Sequence, residues 1–331
     1  IGMVSGFLVA DGSMIQAYEE SFEKYSIENG HFRTEKKMNN AQIQDIEDLG
    51  IKLYENYYVE EALTNGSTMR IFKNRDEVNK VCLMKGKMPE KPGEIGIDRM
   101  YADNNDLSVG DEIESGGHTW KITGLVALSD YSALFSNNND SMFDSVKFGV
   151  SVVCPEEFDS YKADQLNYSY AWKYNTEPKN EKAEKDISED LMEDVAKEVT
   201  LEEFVPRYTN QAIIFTGDDM GGDRSMMIVL LYIIIVIMAF VFAITTSNTI
   251  RKEANVIGTL RASGYTRGEL IRHYMAAPVF VTFIGAIIGN IIGKWRKSEV
   301  ERKCWKSIVF VQIWHWRKRS VLSRIMSRYR E

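Results

Sequence analysis

Four histidines stand at His31, His118, His273 and His315, and three cysteines at Cys82, Cys154 and Cys304. A zinc site needs three or four N, S or O side chains closing on one point, which a sequence shows as His-Glu-x-x-His or as Cys and His a few residues apart. Neither spacing occurs, so no catalytic residue, no metal ligand and no cofactor is expected. Gly289 to Lys294 has the outline of a phosphate loop. Its glycines are only four apart, however, and Trp295 stands where a Ser or Thr must meet magnesium. The run Asn137 to Asp144, NNNDSMFD, offers calcium-compatible oxygens but lacks the glycine and the terminal Glu of a calcium loop, and it reads as a polar surface loop. Cys82 and Cys154 either bridge or sit apart as small buried hydrophobes, and the second reading is preferred.

The glycines that fail as a phosphate loop fit a different use. Gly285, Gly289 and Gly293 form two overlapping Gly-x-x-x-Gly units, a small-residue stripe that lets another helix approach closely inside a bilayer. They lie in a nineteen-residue apolar stretch, Met275 to Gly293, interrupted by Pro278 and Asn290. A stronger stretch of the same length runs from Met226 to Ile244, MMIVLLYIIIVIMAFVFAI, with no charge or amide. At about 1.5 Å rise per residue such a helix matches a hydrocarbon core of roughly 30 Å. Two membrane spans are therefore expected, over 225–249 and 275–293.

Charge orients them. The net charge of −8 conceals three materials: residues 1–224 carry 23 basic and 43 acidic side chains, 225–293 carry 5 and 2, and 294–331 carry 12 and 3. The loop between the spans holds Arg251, Lys252, Arg261, Arg267 and Arg272 against Glu253 and Glu269. Short loops rich in Lys and Arg stay in the cytoplasm, so residues 11–224 are expected outside the cell membrane. Residues 1–10, IGMVSGFLVA, are too few to span and read as the outer end of a truncated first span.

The exterior region 11–224 reads as a large mixed α/β domain. Helical spacing runs through Met14 to Tyr25 and through Asn40 to Leu49. Strands are expected at Thr68 to Phe72, Lys80 to Met84, Asp111 to Ile113, Thr119 to Val126 and 148–154, with a hairpin turn at Ser115-Gly116-Gly117-His118. Lys179 to Glu198 is an amphipathic helix with Ile187, Leu191 and Val195 on its apolar side.

The most informative segment is 250–274. Ile250, Ala254, Ile257 and Leu260 fall on one helix face, Ser263-Gly264 then breaks the helix, and Thr266 followed by Glu269 is a capping box that starts another. The pattern is helix, tight bend, helix, between two spans.

At this point the sequence resembles the FtsX-like or MacB-type permeases of ABC transporters. The run Val256-Ile257-Gly258-Thr259-Leu260-Arg261-Ala262-Ser263-Gly264-Tyr265 is similar to the family signature Glu-Ile-Gly-x-Leu-Arg-Ala-x-Gly. Val256 stands where the family has Glu, and Glu253, one turn earlier, is the candidate replacement. In the exterior region, Lys85 to Pro89, Pro92 to Asp98 and Leu107 to Ile113 resemble the family's periplasmic-core-like domain. The resemblance implies a permease half without enzymatic activity, docking on a separate ABC ATPase subunit through Arg251, Glu253, Ile257, Leu260, Arg261, Gly264 and Tyr265. It also implies a second permease half or copy and membrane lipid as partners, and no nucleic acid. Hydrolysis by the ATPase would move the spans and, through them, the exterior domain, serving peptide, lipoprotein or antibiotic export or mechanical signalling. The alternative is a membrane-anchored exterior sensor or binding domain.

The family has four spans, and here the pattern collapses after Gly293. Residues 294–331 hold twelve basic side chains and the tryptophans Trp295, Trp305, Trp314 and Trp316. This composition belongs to neither neighbour, and the tail is expected to be out of frame or disordered.

Overall fold

The structure is a computed structural model that describes residues 2–274 together with 276, 279–281, 283–285 and 287–288. Two compact units divide it: residues 18–218, and the residues up to 17 with those from 219 on. Helix α1 spans Gly2–Lys24. It runs without a break through the expected helix starting near Met14. Asp11, Gly12 and Ser13 look like a break in sequence. Without proline, though, they cost a helix only about 1 kcal/mol at the glycine.

The 18–218 unit continues as β1 (Gly30–Thr34), α2 (Asn40–Glu47), β2 (Ile51–Glu55), β3 (Tyr58–Ala62), β4 (Thr68–Lys73), β5 (Val81–Gly86), β6 (Glu94–Asp98) and α3 (Arg99–Asn104). Then come β7 (Glu112–Ser115), β8 (His118–Leu128), β9 (Phe148–Val153), α4 (Pro155–Phe158), β10 (Tyr168–Tyr174), α5 (Glu181–Glu198) and β11 (Leu201–Pro206). The mixed α/β expectation therefore holds. The strands make two sheets, a four-stranded one in the order β11-β1-β10-β2 and a seven-stranded one in the order β3-β4-β9-β6-β8-β5 with β7 on β8.

Local chemistry explains several of these elements. The β7–β8 hairpin turns on Gly116 and Gly117, which lie at φ 56° and φ 84°. A two-residue turn of this hand demands positive φ at both positions. Strand β9, FGVSVV, is buried at every position because it lies between β4, parallel, and β6, antiparallel, with both faces covered. In the smaller sheet Phe32 is paired with Tyr170 on one side and Phe204 on the other, and Trp172 stacks on Phe204 with centroids 4.8 Å apart. Helix α5 lies against β11, and helix α2 lies against α5 and β2.

On α5 the buried positions are Glu184, Ser188, Leu191 and Val195, whereas Ile187, expected on the apolar side, is 43% exposed. A strict four-residue spacing overshoots the 3.6-residue period by about 40° per step, and the true stripe corrects for it with a three-residue step. Asn180 caps the helix, its side chain accepting from the Ala183 amide at 2.9 Å. Cys82 and Cys154 are both free thiols.

The other unit is built on helix α6, Gln211–Lys252, which starts within the 18–218 unit and well before the expected apolar run. Its apolar stretch is unpacked all round: Met226, Val229, Tyr232, Val236, Phe240 and Ile244 are each more than half exposed. Among the described residues it is the one helix long and apolar enough to cross a membrane. Helix α7 follows at Ala254–Ala262, and residues 267–274 are helical again. Gly285 is helical, with open space where a Cβ would stand. Gly289, Gly293 and the tail 294–331 lie outside the described residues, as does most of the expected span 275–293.

Candidate functional site

Helices α6 and α7 do not form the single expected helix through Ile250 and Leu260. Glu253 separates them with φ −96° and ψ 13°, although its amide still reaches the Thr249 carbonyl (3.1 Å) and its carbonyl still receives the Ile257 amide (2.9 Å). The chain bends at Glu253 without losing these backbone bonds. Helix α7 then ends as the sequence predicts. Gly264 sits at φ 99°, its amide donates to the Arg261 carbonyl (3.2 Å), and the Tyr265 amide donates to the Leu260 carbonyl (3.1 Å). Those two bonds make a Schellman closure, which requires a left-handed residue at Gly264.

The next helix opens immediately. The Thr266 amide donates to Glu269 Oε2 at 2.9 Å and the Glu269 amide donates to Thr266 Oγ1 at 3.3 Å. Both halves of the capping box are therefore present. The Thr266 amide and hydroxyl hold the Glu269 carboxyl below its ordinary value. Leu270, in the first turn of this helix, is buried.

A further contact closes the elbow. The Tyr274 hydroxyl donates to Glu253 Oε2, joining the entry of the loop to its exit. Both acidic residues of the loop are thereby engaged, one in the cap and one with tyrosine. Among the expected contact residues, Ile257 and Leu260 are half-buried, while Arg251, Glu253, Arg261, Gly264 and Tyr265 are exposed. The arrangement is a bend closed by backbone and side-chain hydrogen bonds, with an exposed basic surface. The Glu253–Tyr274 contact was missing from the sequence reading, and no local spacing rule reaches across 21 residues.

The 18–218 unit holds a second polar constellation. A cleft of about 100 Å³ lies between the sheets, lined by His31 and Arg33 of β1, Tyr58 of β3, Arg70 of β4, and Asp130 and Tyr131 after β8. Arg70 donates to Glu60 (2.6 and 2.8 Å), to the Tyr131 hydroxyl (2.6 Å) and to the Ser136 carbonyl (2.8 Å), and its guanidinium lies 4.5 Å from the Tyr58 ring centre. Arg75 and Asp130 form a bidentate pair at 2.7 and 2.8 Å, 7% and 5% exposed. Burial raises the Asp130 carboxyl and Arg75 opposes the rise.

Deeper still, the Glu28 carboxylate is held by His31 Nδ1 at 2.6 Å and by the Asn79 amide group at 2.5 Å. Burial works against charge on both partners. The mutual attraction of Glu28 and His31 outweighs it, lowering the carboxyl and raising the imidazole. Sequence spacing showed none of these pairs: Arg70 with Tyr131 and Arg75 with Asp130 are more than fifty residues apart, and Glu28 and His31, three apart, lie outside any helix. Among the described residues no group of three His, Cys, Asp or Glu is placed to hold a metal ion.

Residues 228–298 match the FtsX-like permease C-terminal family. The match begins inside α6, takes in the whole elbow and supports an ABC-transporter permease-type role; components of this kind are not classical enzymes. A search among curated proteins found no match. Similar solved structures include the periplasmic region of MacB from Actinobacillus actinomycetemcomitans, 12% identical with a TM-score of 0.29 over 51% of this chain and 85% of that one. The extracellular domain of the noncanonic ABC-type transporter YknZ from Gram-positive bacteria is 10% identical, with a TM-score of 0.29 over 51% of this chain and 92% of that one. A putative lipoprotein from Bacillus anthracis is 12% identical, with a TM-score of 0.27 over 53% of this chain and 96% of that one.

Proposed function

We propose that the chain is a permease subunit of an FtsX/MacB-type ABC transporter, in which a separate ATPase drives movement of the exterior domain. In this reading 225–249 and 275–293 cross the membrane, 11–224 faces outward, and the elbow 250–274 docks on the ATPase subunit. The observation that carries it is the elbow: within the family match, two helices are held at a fixed bend by a Schellman closure, a capping box and the Glu253–Tyr274 contact. A passive connector needs none of these. The apolar surface of α6 supports the membrane assignment, since a helix hydrophobic on all sides is stable only when its surroundings are apolar too. A second permease half or copy, packing on the Gly285, Gly289 and Gly293 stripe, would complete the assembly. Its task would be export of a peptide, lipoprotein or antibiotic, or mechanical signalling.

The test is reconstitution of the full-length permease with its ATPase. Arg261→Glu reverses one exposed charge while keeping helix propensity, so it should weaken co-purification and lower the permease-dependent ATPase rate without affecting membrane insertion. Wild-type behaviour of this variant would leave the elbow a connector. A second reading, a membrane-anchored exterior binding domain, draws support from the polar cleft and expects no ATPase to co-purify.

A further inference from the structure

Between β8 and β9 the chain runs through residues 130–143 without regular secondary structure, yet part of this segment is buried. Ala133, Leu134 and Phe135 are fully buried. Phe135, Phe143 and Phe215 meet edge to face with centroids 5.4, 5.5 and 5.7 Å apart, and Phe215 belongs to the second turn of α6. The polar contacts converge on the same helix start. The Ser132 hydroxyl donates to the Ala212 and Ile213 carbonyls (2.8 and 2.9 Å), and the Ala133 amide donates to the Ala212 carbonyl (3.1 Å). Asn138 accepts the Gln211 amide on its side chain (2.8 Å) and the Gln211 side-chain amide on its carbonyl (2.7 Å). Residues 137–144 are the polar surface loop expected from the sequence, mostly exposed and without regular secondary structure, and one of them also caps a helix. Asn138 satisfies the first orphan N–H of α6, while Asn210 takes the second.

The other side of the segment grips the sheet. Asp130 takes the Arg75 fork, while Tyr131 and Ser136 take Arg70 of β4. Asp130, Tyr131, Phe135, Ser136, Asn137 and Asn138 form one wall of the cleft. One short segment therefore holds the first turns of a 42-residue helix by one edge and the cleft by the other.

We propose that residues 130–143 are a strap that converts movement of α6 into opening or closing of the cleft between the two sheets, with Ser132 and Asn138 as its positioning residues on the helix. Helix α1 also touches this helix start, the Tyr18 hydroxyl donating to the Ile213 carbonyl at 3.0 Å. The strap lines the cleft directly. The proposal rests on the permease reading above and names the joint that this reading requires.

The experiment uses the full-length permease reconstituted with its ATPase. Spin labels at Glu202→Cys and Asp159→Cys, exposed sites associated with the smaller and the larger sheet, report the width across the cleft. In a chain otherwise native apart from replacement of Cys82, Cys154 and Cys304, ATP should shift that distance. Ser132→Ala with Asn138→Ala should leave ATPase co-purification and hydrolysis at wild-type level while reducing the shift to less than half. Asn138→Asp, which keeps an acceptor oxygen for the Gln211 amide, should retain it. Thermal melting of each variant separates loss of coupling from loss of folding, and the single substitutions serve if the double variant melts early. A full shift in the double variant, or no shift in the native chain beside an active, bound ATPase, overturns the strap. Failure of the ATPase to bind the native chain overturns the permease reading instead, and the strap with it.

Discussion

At the residue scale the 18–218 unit is marked by charged side chains removed from water and paired. Arg75 and Asp130 are the clearest case, since both side chains are buried and form a bidentate pair, with Asn56 taking a further bond from Arg75 at 2.7 Å. Removing one member strands the other, so Arg75→Ala should destabilise the unit by about 3–5 kcal/mol, whereas Arg75→Met with Asp130→Leu should recover much of that loss. Denaturant melts of the two variants check it; equal losses would show that the pair acts through packing alone.

Asp98 makes a different residue-scale case. Its side chain caps α3 by accepting from the Met100 and Tyr101 amides (2.7 and 3.3 Å), and burial pushes its carboxyl up to about 7 despite those bonds. The folded carboxyl therefore keeps a proton that the unfolded one, titrating near 3.8, has lost, and stability falls as pH rises between these values. Asp98→Asn keeps the capping oxygen and removes the titration. It should be nearly neutral near pH 4 and stabilising by roughly 1–3 kcal/mol near pH 8. Thermal melts across that range read the difference; a parallel pH profile in both proteins would contradict the assignment.

At the element scale the elbow depends on one backbone angle. Nothing lies within 4 Å of where a Cβ on Gly264 would stand, so any penalty of substitution is conformational rather than steric. Gly264→Val should cost about 1–2 kcal/mol and loosen the bend, while Gly264→Asn, a side chain that tolerates left-handed backbone, should fall between valine and glycine. Spin labels at Asn255→Cys and Arg272→Cys, both on exposed positions, measure the bend in reconstituted membranes. An unchanged distance distribution in the valine variant would mean that the capping box and the Glu253–Tyr274 contact hold the elbow without the Schellman closure.

At the scale of the whole molecule the expectation is topological. The excess of acid in 1–224 and of base in 250–274 predicts that these regions lie on opposite sides of a membrane. With Cys82, Cys154 and Cys304 replaced, Asp103→Cys should react with an impermeant maleimide on intact cells and Ser263→Cys should react only after lysis; both native positions are well exposed. Reaction of Ser263→Cys alone on intact cells would invert the arrangement.

Some of this was legible in the sequence because the causes are local. A Gly-Gly pair between alternating strands makes the β7–β8 turn, Thr266 and Glu269 three residues apart make a capping box, and Ser263-Gly264 ends a helix. The run from Met226 to Ile244 is apolar whatever surrounds it. In each, the interacting groups lie within about one helical turn or one hairpin, so residue order alone specifies the contact. Where the signal was weaker the reading slipped: Ile187 turned outward, and α6 began at Gln211, where Asn138 from another part of the chain helps to cap it. Only the tertiary structure brought Arg75 to Asp130, 55 positions away, Glu28 to Asn79, 51 away, and Ser132 to Ala212, 80 away. These contacts depend on the strand orders β11-β1-β10-β2 and β3-β4-β9-β6-β8-β5, in which most neighbours are not consecutive. Such orders are fixed by how the sheets share a core, and no periodicity of 2 or 3.6 encodes which distant strand will lie alongside.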